Sequence, residues 1–135
     1  MQINDLVVIV TFLALLVYLW TGIRVGQARG KYGVAAPAIT GAPEFERCWR
    51  VQMNTLEWLP IFLPSLWLFA HYFSPVIAAA IGLVWVLARI GYALVYVRNP
   101  EKRGLWFGLQ ALSAGVLMLG AFARAIYLAV TIGPA

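Results

Sequence analysis

Four polar side chains with ligand-binding chemistry enter one apolar stretch of the sequence at regular spacing. They stand three, four and three residues apart: Arg47, Arg50, Asn54 and Glu57. In an α-helix these offsets place all four side chains on one face. Arginine binds carboxylates through paired hydrogen bonds, and a carboxylate can take an ammonium group. The pattern therefore favours a small anionic ligand that carries carboxylates and one ammonium group.

A second polar face is predicted further along the chain. Arg89, Tyr92 and Tyr96 are three and four residues apart, so a helix would present them together. From spacing alone, two interpretations stay open. The polar residues could line a ligand site, or Arg50, Glu57 and Arg89 could form buried ion pairs that only hold the helices together.

The composition indicates a membrane protein with a single domain over residues 1–135. The chain is 63% hydrophobic and 11% charged, whereas soluble domains carry about 25% charged residues. One cysteine and one histidine cannot build a zinc site, so we expect no metal. The ten basic residues flank apolar stretches instead of covering a soluble face, which argues against a nucleic-acid partner.

Four stretches are long enough to cross a bilayer, which predicts an all-α integral membrane protein, a bundle of four transmembrane helices. The expected spans are about residues 6–25, 44–72, 76–97 and 104–132. A short turn at Ser74 makes the second and third spans antiparallel neighbours. The connections at 26–43 and 98–103 are basic, and the positive-inside rule places them in the cytoplasm, with both termini on the opposite side. Asn99 and Pro100 suit a helix start, which puts Arg103 in the first turn of the fourth span.

The run PEFERCWRVQMNTLEWLPIFLPSLW, residues 43–67, closely resembles the second helix of the MAPEG family, the membrane-associated proteins in eicosanoid and glutathione metabolism. The matching positions in this run are Glu44, Phe45, Glu46, Arg47, Arg50, Asn54, Glu57 and Pro60. Further matches are Ala88, Arg89, Tyr92, Tyr96 and Arg103, with a weaker one at Ala28 and Arg29. The resemblance covers most of the chain and is nearest to the branch of microsomal glutathione transferases and leukotriene C4 synthase.

This resemblance implies a homotrimer that binds glutathione between subunits, near the cytoplasmic face. One subunit would contribute Arg50, Asn54, Glu57, Tyr92, Tyr96 and Arg103, with Trp58 beside Glu57 in the same site. The neighbouring subunit would contribute Arg29 and Gln52. Arg103 would be the catalytic residue, because it would stabilise the glutathione thiolate. A free thiol has a pKa of about 8.5, which a nearby arginine and a helix N-terminus lower.

The implied function is a membrane-bound glutathione transferase. Its thiolate would attack lipophilic electrophiles that enter from the bilayer lipids, and the same thiolate could reduce lipid hydroperoxides. Two positions differ from the leukotriene-forming branch: Trp58 stands where that branch has a tyrosine, and Gly30 where it has a second arginine. The resemblance therefore favours a broader detoxifying transferase with glutathione as its co-substrate.

Two other functions stay open at this stage. One is a non-catalytic protein of the same fold that binds fatty acids, against which the retained glutathione-site residues argue. The other is a structural or transport bundle whose ion pairs only fix the helix register. A bacterial inner membrane and an endoplasmic reticulum would both suit the chain; its brevity and its lack of a C-terminal retrieval signal favour the bacterial membrane.

Overall fold

Four long helices make up the computed structural model, which describes residues 4–133. They are α1 (Asp5–Tyr32), α2 (Pro43–Tyr72), α3 (Pro75–Arg98) and α4 (Gly104–Ile132), with a short 3-10 helix, Pro100–Lys102, before α4. No strand occurs within this described range. The predicted all-α, four-helix fold is confirmed.

The helix starts follow the sequence closely. Asn4 precedes α1, and its side-chain oxygen accepts a hydrogen bond from the Leu6 N–H at 3.0 Å. Ser74 precedes α3 and accepts in the same way from the Ile77 N–H at 3.3 Å. These caps satisfy backbone donors that a helix start leaves unpaired. Because only Phe73 and Ser74 separate α2 from α3, the two helices are antiparallel neighbours, as predicted.

The end of the first helix differs from the prediction, which began a connection at residue 26. The helix continues through Gly26 and ends only at Gly33, whose φ of 69° is left-handed. Glycine inside a helix costs about 1 kcal/mol relative to alanine. Packing outweighs this cost, because the extra turns bury Ala28 in one cluster with Phe45 of α2. The real connection between α1 and α2 is therefore shorter than the sequence indicated.

The start of α4 also differs from the expectation that Asn99 caps it. The N–H groups of Lys102 and Arg103 bond to the carbonyls three residues earlier, which is the 3-10 pattern. This separate turn leaves the Asn99 side chain without a capping hydrogen bond. The helix begins at Gly104, with Arg103 at its N-cap position. Arg103 thus stands directly before the helix instead of within its first turn.

The two middle helices form the centre of the bundle. α1 and α4 each pack on both α2 and α3. At the α2–α3 contact, Phe62 stacks on Trp85 with ring centroids 4.0 Å apart and planes nearly parallel. Gly82 of α3 approaches α1 and α2 so closely that a Cβ there would lie 2.8 Å from Val10 and 2.9 Å from Leu66. This tight packing fixes the α2 and α3 faces that carry the polar residues.

The outer surface is suited to lipid. α1, α3 and α4 are each long and apolar enough to cross a membrane, and they expose large apolar side chains such as Phe12, Leu112 and Phe122. α2 has 30 residues and is less apolar than the other three, because it carries the polar stripe of Arg47, Arg50, Asn54 and Glu57. Together the helices form a multi-pass membrane bundle in which the predicted polar faces lie on α2 and α3.

Candidate functional site

Arg50 and Glu57 form an accessible ion pair on α2. Arg50 Nη1 donates to Glu57 Oε1 at 3.2 Å, and the two side chains are 50% and 55% exposed. It is the one salt bridge among residues 4–133. Exposed pairs contribute only about 0–1 kcal/mol to stability. The alternative in which Arg50 and Glu57 form a buried structural bridge is therefore wrong, and both groups can reach a ligand.

Arg89, in contrast, is buried at 1% exposure. Its Nη1 donates to Asn54 Oδ1 at 2.9 Å and its Nη2 to Thr55 Oγ1 at 2.7 Å. These acceptors are neutral, so the predicted alternative of a buried ion pair at Arg89 is also wrong. The cation instead joins α3 to the polar stripe of α2.

Aromatic rings extend this contact towards the start of α4. The guanidinium carbon of Arg89 lies 4.5 Å from the Tyr92 ring centroid, and the Tyr92 and Tyr96 rings are 5.4 Å apart. The Arg103 guanidinium carbon is 5.7 Å from the Tyr96 ring. We call Asn54, Arg89, Tyr92, Tyr96 and Arg103 the contact series. It brings predicted site residues from α2, α3 and the start of α4 into one continuous line.

Arg103 lies at the exposed end of the contact series. Its Nη1 donates to the Pro100 carbonyl at 2.8 Å, which ties the side chain to the 3-10 turn. At the N-terminus of α4 the first backbone N–H groups have no partner within the helix. The helix dipole and the guanidinium both favour an anion at this place.

Trp58 joins the predicted ligand-binding residues to the apolar core of the bundle. It is half-buried and packs against the apolar core. Its ring meets Phe107 edge to face at 5.8 Å, and Phe107 in turn lies 6.1 Å from Tyr92. Trp58 therefore contacts the aromatic groups beneath the contact series.

Arg29 and Gln52 make their contacts elsewhere within the protomer. Arg29 Nη1 donates to the Ala38 carbonyl at 2.7 Å, and its guanidinium carbon lies 4.9 Å from the Phe45 ring. The Gln52 amide nitrogen packs against Gly22 of α1, 3.1 Å from where a Cβ would stand. The structure does not bring these two residues to the contact series of the same protomer. Their assignment to a neighbour's site stays a prediction.

A groove of about 500 Å³ opens beside Arg50 and Tyr96. Its lining includes Ile39, Thr40, Arg47, Trp49, Arg50 and Tyr96. One wall is thus the connection between α1 and α2, and the other two walls are α2 and α3. The Arg47 hydrogen bond to the Val97 carbonyl at 3.3 Å joins α2 to α3. Small-molecule sites span about 300–1,000 Å³, so the groove is large enough for a small-molecule ligand.

Sequence reasoning missed Thr55 and Gln110, which are among the buried polar residues of the bundle. Thr55 accepts from Arg89, and its position beside Asn54 was the signal that could have found it. Gln110 of α4 is completely buried, and neither of its amide atoms has a hydrogen-bond partner among the described residues. A lone amide in an apolar membrane helix is costly, which could have singled it out.

The chain matches the family model described as the MAPEG family over residues 7–123. The protein belongs to the MAPEG family. The resemblance carried by the second helix and by Arg89, Tyr92 and Tyr96 is therefore confirmed, together with the membrane fold that it implied.

Individual MAPEG relatives are similar over most of the chain. An uncharacterised protein of Synechocystis is 54% identical over 113 residues, 84% of this chain and 82% of that protein. Leukotriene C4 synthase of Cavia porcellus is 37% identical over 130 residues, 88% of this chain and 87% of that protein. Microsomal glutathione S-transferase 2 of Mus musculus is 46% identical over 96 residues, 71% of this chain. The match spans 63% of that mouse protein's length.

Proposed function

We propose that this MAPEG protein is a membrane-bound glutathione transferase that conjugates glutathione to lipophilic electrophiles. The observation that carries the proposal is the contact series, which joins the polar stripe of α2 to Arg103 at the N-terminus of α4. The similarity to microsomal glutathione S-transferase 2 supports the same chemistry. Glutathione would be the co-substrate.

The exposed ion pair of α2 suits the charged ends of glutathione. Arg50 can bind a carboxylate and Glu57 can take the ammonium group; both side chains are exposed, and Arg50 lines the 500 Å³ groove. A ligand with a carboxylate and an ammonium group could replace the Arg50–Glu57 contact with two contacts of its own. The cost is small, because the exposed ion pair contributes only about 0–1 kcal/mol. The two residues would therefore fix the peptide part of the ligand.

Arg103 would activate the sulfur. A cation and a helix N-terminus favour the thiolate over the thiol, and Arg103 stands where both act. The thiolate sulfur would form a bond to an electrophilic carbon while the leaving group departs with its electron pair. With a lipid hydroperoxide, two glutathione molecules would be oxidised to the disulfide, and the alcohol and water would be released.

We further propose a homotrimer in which Arg29 and Gln52 complete the neighbour's site at the cytoplasmic face. The proposal is supported by the contacts of these residues away from the contact series of their own protomer. The similarity to a Synechocystis protein supports a bacterial inner membrane. Sidedness can be tested with a single cysteine, Glu101→Cys in a Cys48→Ala background. If an impermeant thiol reagent labels this cysteine from outside intact cells, the connection before α4 faces outward and the proposed orientation is wrong.

A glutathione titration of the detergent-purified protein tests the proposed activity. We expect the near-ultraviolet thiolate absorbance to rise and saturate in the native protein and to be lost in Arg103→Ala. Arg124→Ala is the matched control, because Arg124 lies 5.3 Å from the Tyr127 ring in the same kind of contact, within the last turns of α4. It should keep the band.

The other outcomes separate the alternatives. Binding without a thiolate band in the native protein would keep the site and remove the catalytic role. A well-folded protein that neither binds glutathione nor conjugates it to a chloronitroaromatic would contradict the proposal. Fatty-acid binding in that protein would then support the non-catalytic alternative.

A further inference from the structure

Arg89 is a buried cation whose hydrogen bonds end on neutral side chains. It is 1% exposed, and it donates to Asn54 Oδ1 at 2.9 Å and to Thr55 Oγ1 at 2.7 Å. An ionisable residue inside a membrane bundle is costly and is usually kept for function. A buried charge is also weak evidence of added stability. A role for Arg89 is therefore to be sought in how it holds its two acceptors, Asn54 and Thr55.

The bond to Arg89 fixes which way the Asn54 amide faces. A guanidinium only donates, so it must meet the amide oxygen, and a turned amide would place its NH2 group against the cation. With Oδ1 held by α3, the NH2 group is left for a partner outside the α2–α3 contact. Asn54 is half-buried and shares its helix face with Arg50 and Glu57. Its free donor thus belongs to the same face as the exposed ion pair.

Thr55 makes this arrangement rigid. Its hydroxyl donates to the Val51 carbonyl at 2.8 Å, so a lone pair of Oγ1 remains for Arg89. The guanidinium is then held at two points on adjacent residues of α2, and the Tyr92 ring lies 4.5 Å from its carbon. A planar fork bound at two points has little freedom to rotate. The Asn54 amide is therefore held in one orientation before any ligand binds.

We infer that Arg89 is a positioning residue for glutathione binding. It holds the Asn54 amide so that the NH2 group donates to a carbonyl or carboxylate oxygen of the ligand. This inference rests on the proposed function, because glutathione is the ligand concerned. Arg89 acts through Asn54 and does not touch glutathione. Arg50 binds a carboxylate of the ligand by charge, and Asn54 donates a hydrogen bond in a fixed direction.

A double-mutant cycle tests whether Arg89 acts through Asn54. Calorimetry with glutathione would compare Arg89→Met, Asn54→Ala and the double variant. We expect each single change to weaken binding about tenfold, the size of one lost hydrogen bond. The double variant should bind no more weakly than Asn54→Ala, because the two residues share one interaction. Losses that multiply in the double variant would overturn the inference.

Asn54→Asp gives a test that does not depend on the folding of an Arg89 variant. The carboxylate keeps its acceptor oxygen for Arg89 but has no NH2 group. We expect the ligand-free protein to stay folded, with an altered unfolding temperature because the new carboxylate forms an ion pair with the buried Arg89. The KM for glutathione should rise at least about tenfold, and kcat should change less, since Arg103 is untouched. A folded Asn54→Asp protein with the native KM would overturn the inference.

Thr55→Val provides the matched control, since it removes the other Arg89 bond and leaves Asn54 intact. We expect a smaller loss of glutathione affinity than in Arg89→Met, within about threefold of the native value, because Arg89 loses only its second anchor and keeps its bond to Asn54. A loss as large as that of Arg89→Met would show that any disturbance of the α2–α3 contact weakens binding, which overturns the role of Asn54. A native protein that does not bind glutathione would remove the proposed function itself.

Discussion

Burial separates the polar residues of this protein into two kinds. Arg50 and Glu57 are half-exposed and bound only to each other, so they can exchange partners when a ligand arrives. Arg89 is buried and holds two neutral acceptors, so it keeps its partners. Residues of the first kind should affect binding more than stability, because an exposed pair contributes little to folding.

The pair Arg50→Gln and Glu57→Gln, made together, tests this division. We expect the thermal unfolding of the ligand-free protein to change little, since the pair is worth at most about 1 kcal/mol. Glutathione affinity should fall at least about tenfold, because hydrogen bonds to charged groups are lost. Calorimetry measures the affinity, and Arg98→Gln, an exposed cation at the same end of the bundle, is the control. Native affinity in the double variant would support a purely structural role for the polar stripe.

Spacing in the sequence could predict that Arg50, Asn54 and Glu57 share a face, because helix periodicity alone decides it. It could not predict which acceptor Arg89 takes. That choice depends on the register of α2 against α3, which brings Asn54 and Thr55 to Arg89 and leaves Glu57 to Arg50. The shared helix face of these residues was thus predictable from the sequence, and their hydrogen-bond pairing was not.

Among the elements, α2 and α3 set the geometry of the contact series. The register between these two helices is fixed by contacts that lie outside the series. The Phe62–Trp85 stack and the close approach at Gly82 both lie in the apolar part of the bundle. A change there would shift the two helices relative to each other. The packing of apolar residues therefore positions the polar ones.

Gly82→Ala measures how tight this approach is. Alanine favours a helix by about 1 kcal/mol over glycine, but a Cβ at position 82 would lie 2.8 Å from Val10 and 2.9 Å from Leu66. Overpacking of a buried site costs about 1–3 kcal/mol, so we expect a net loss of stability in thermal unfolding. Gly26→Ala is the matched control, because nothing lies within 4 Å of its Cβ position. An unfolding temperature for Gly82→Ala equal to or above the native value would show that α1 and α2 can move away from α3 enough to accommodate the methyl group without loss of stability.

Element boundaries were predictable where a single local signal decides them. Ser74 before a proline marked the start of α3. The polar run before residue 104 marked where the fourth span begins, but not the separate 3-10 turn that takes Asn99 away from its cap. The end of α1 was not predictable in this way. Gly26 and Gly30 disfavour a helix locally, and the burial of Ala28 beside Phe45 is a tertiary effect that a single stretch of sequence does not contain.

At the scale of the whole molecule, the protomer holds the contact series but keeps Arg29 and Gln52 apart from it. Arg29 is bound to the connection between α1 and α2, and Gln52 packs on α1. If both residues serve a glutathione site, a second copy of the chain must present them. A closed ring of identical subunits would give every site the same pair of contributions.

Mixed oligomers of Arg29→Ala and Arg103→Ala subunits test this sharing. Each variant alone should be nearly inactive in glutathione conjugation, because every site lacks one of the two cations. Random co-assembly at equal amounts should restore about a quarter of the sites, those that pair an intact Arg103 with a neighbour's intact Arg29. The two variants mixed only after separate purification should stay inactive, which controls for residual activity. If co-assembly restores nothing although the subunits associate, the two arginines act within one protomer, and Arg29 must leave the Ala38 carbonyl to reach the glutathione site.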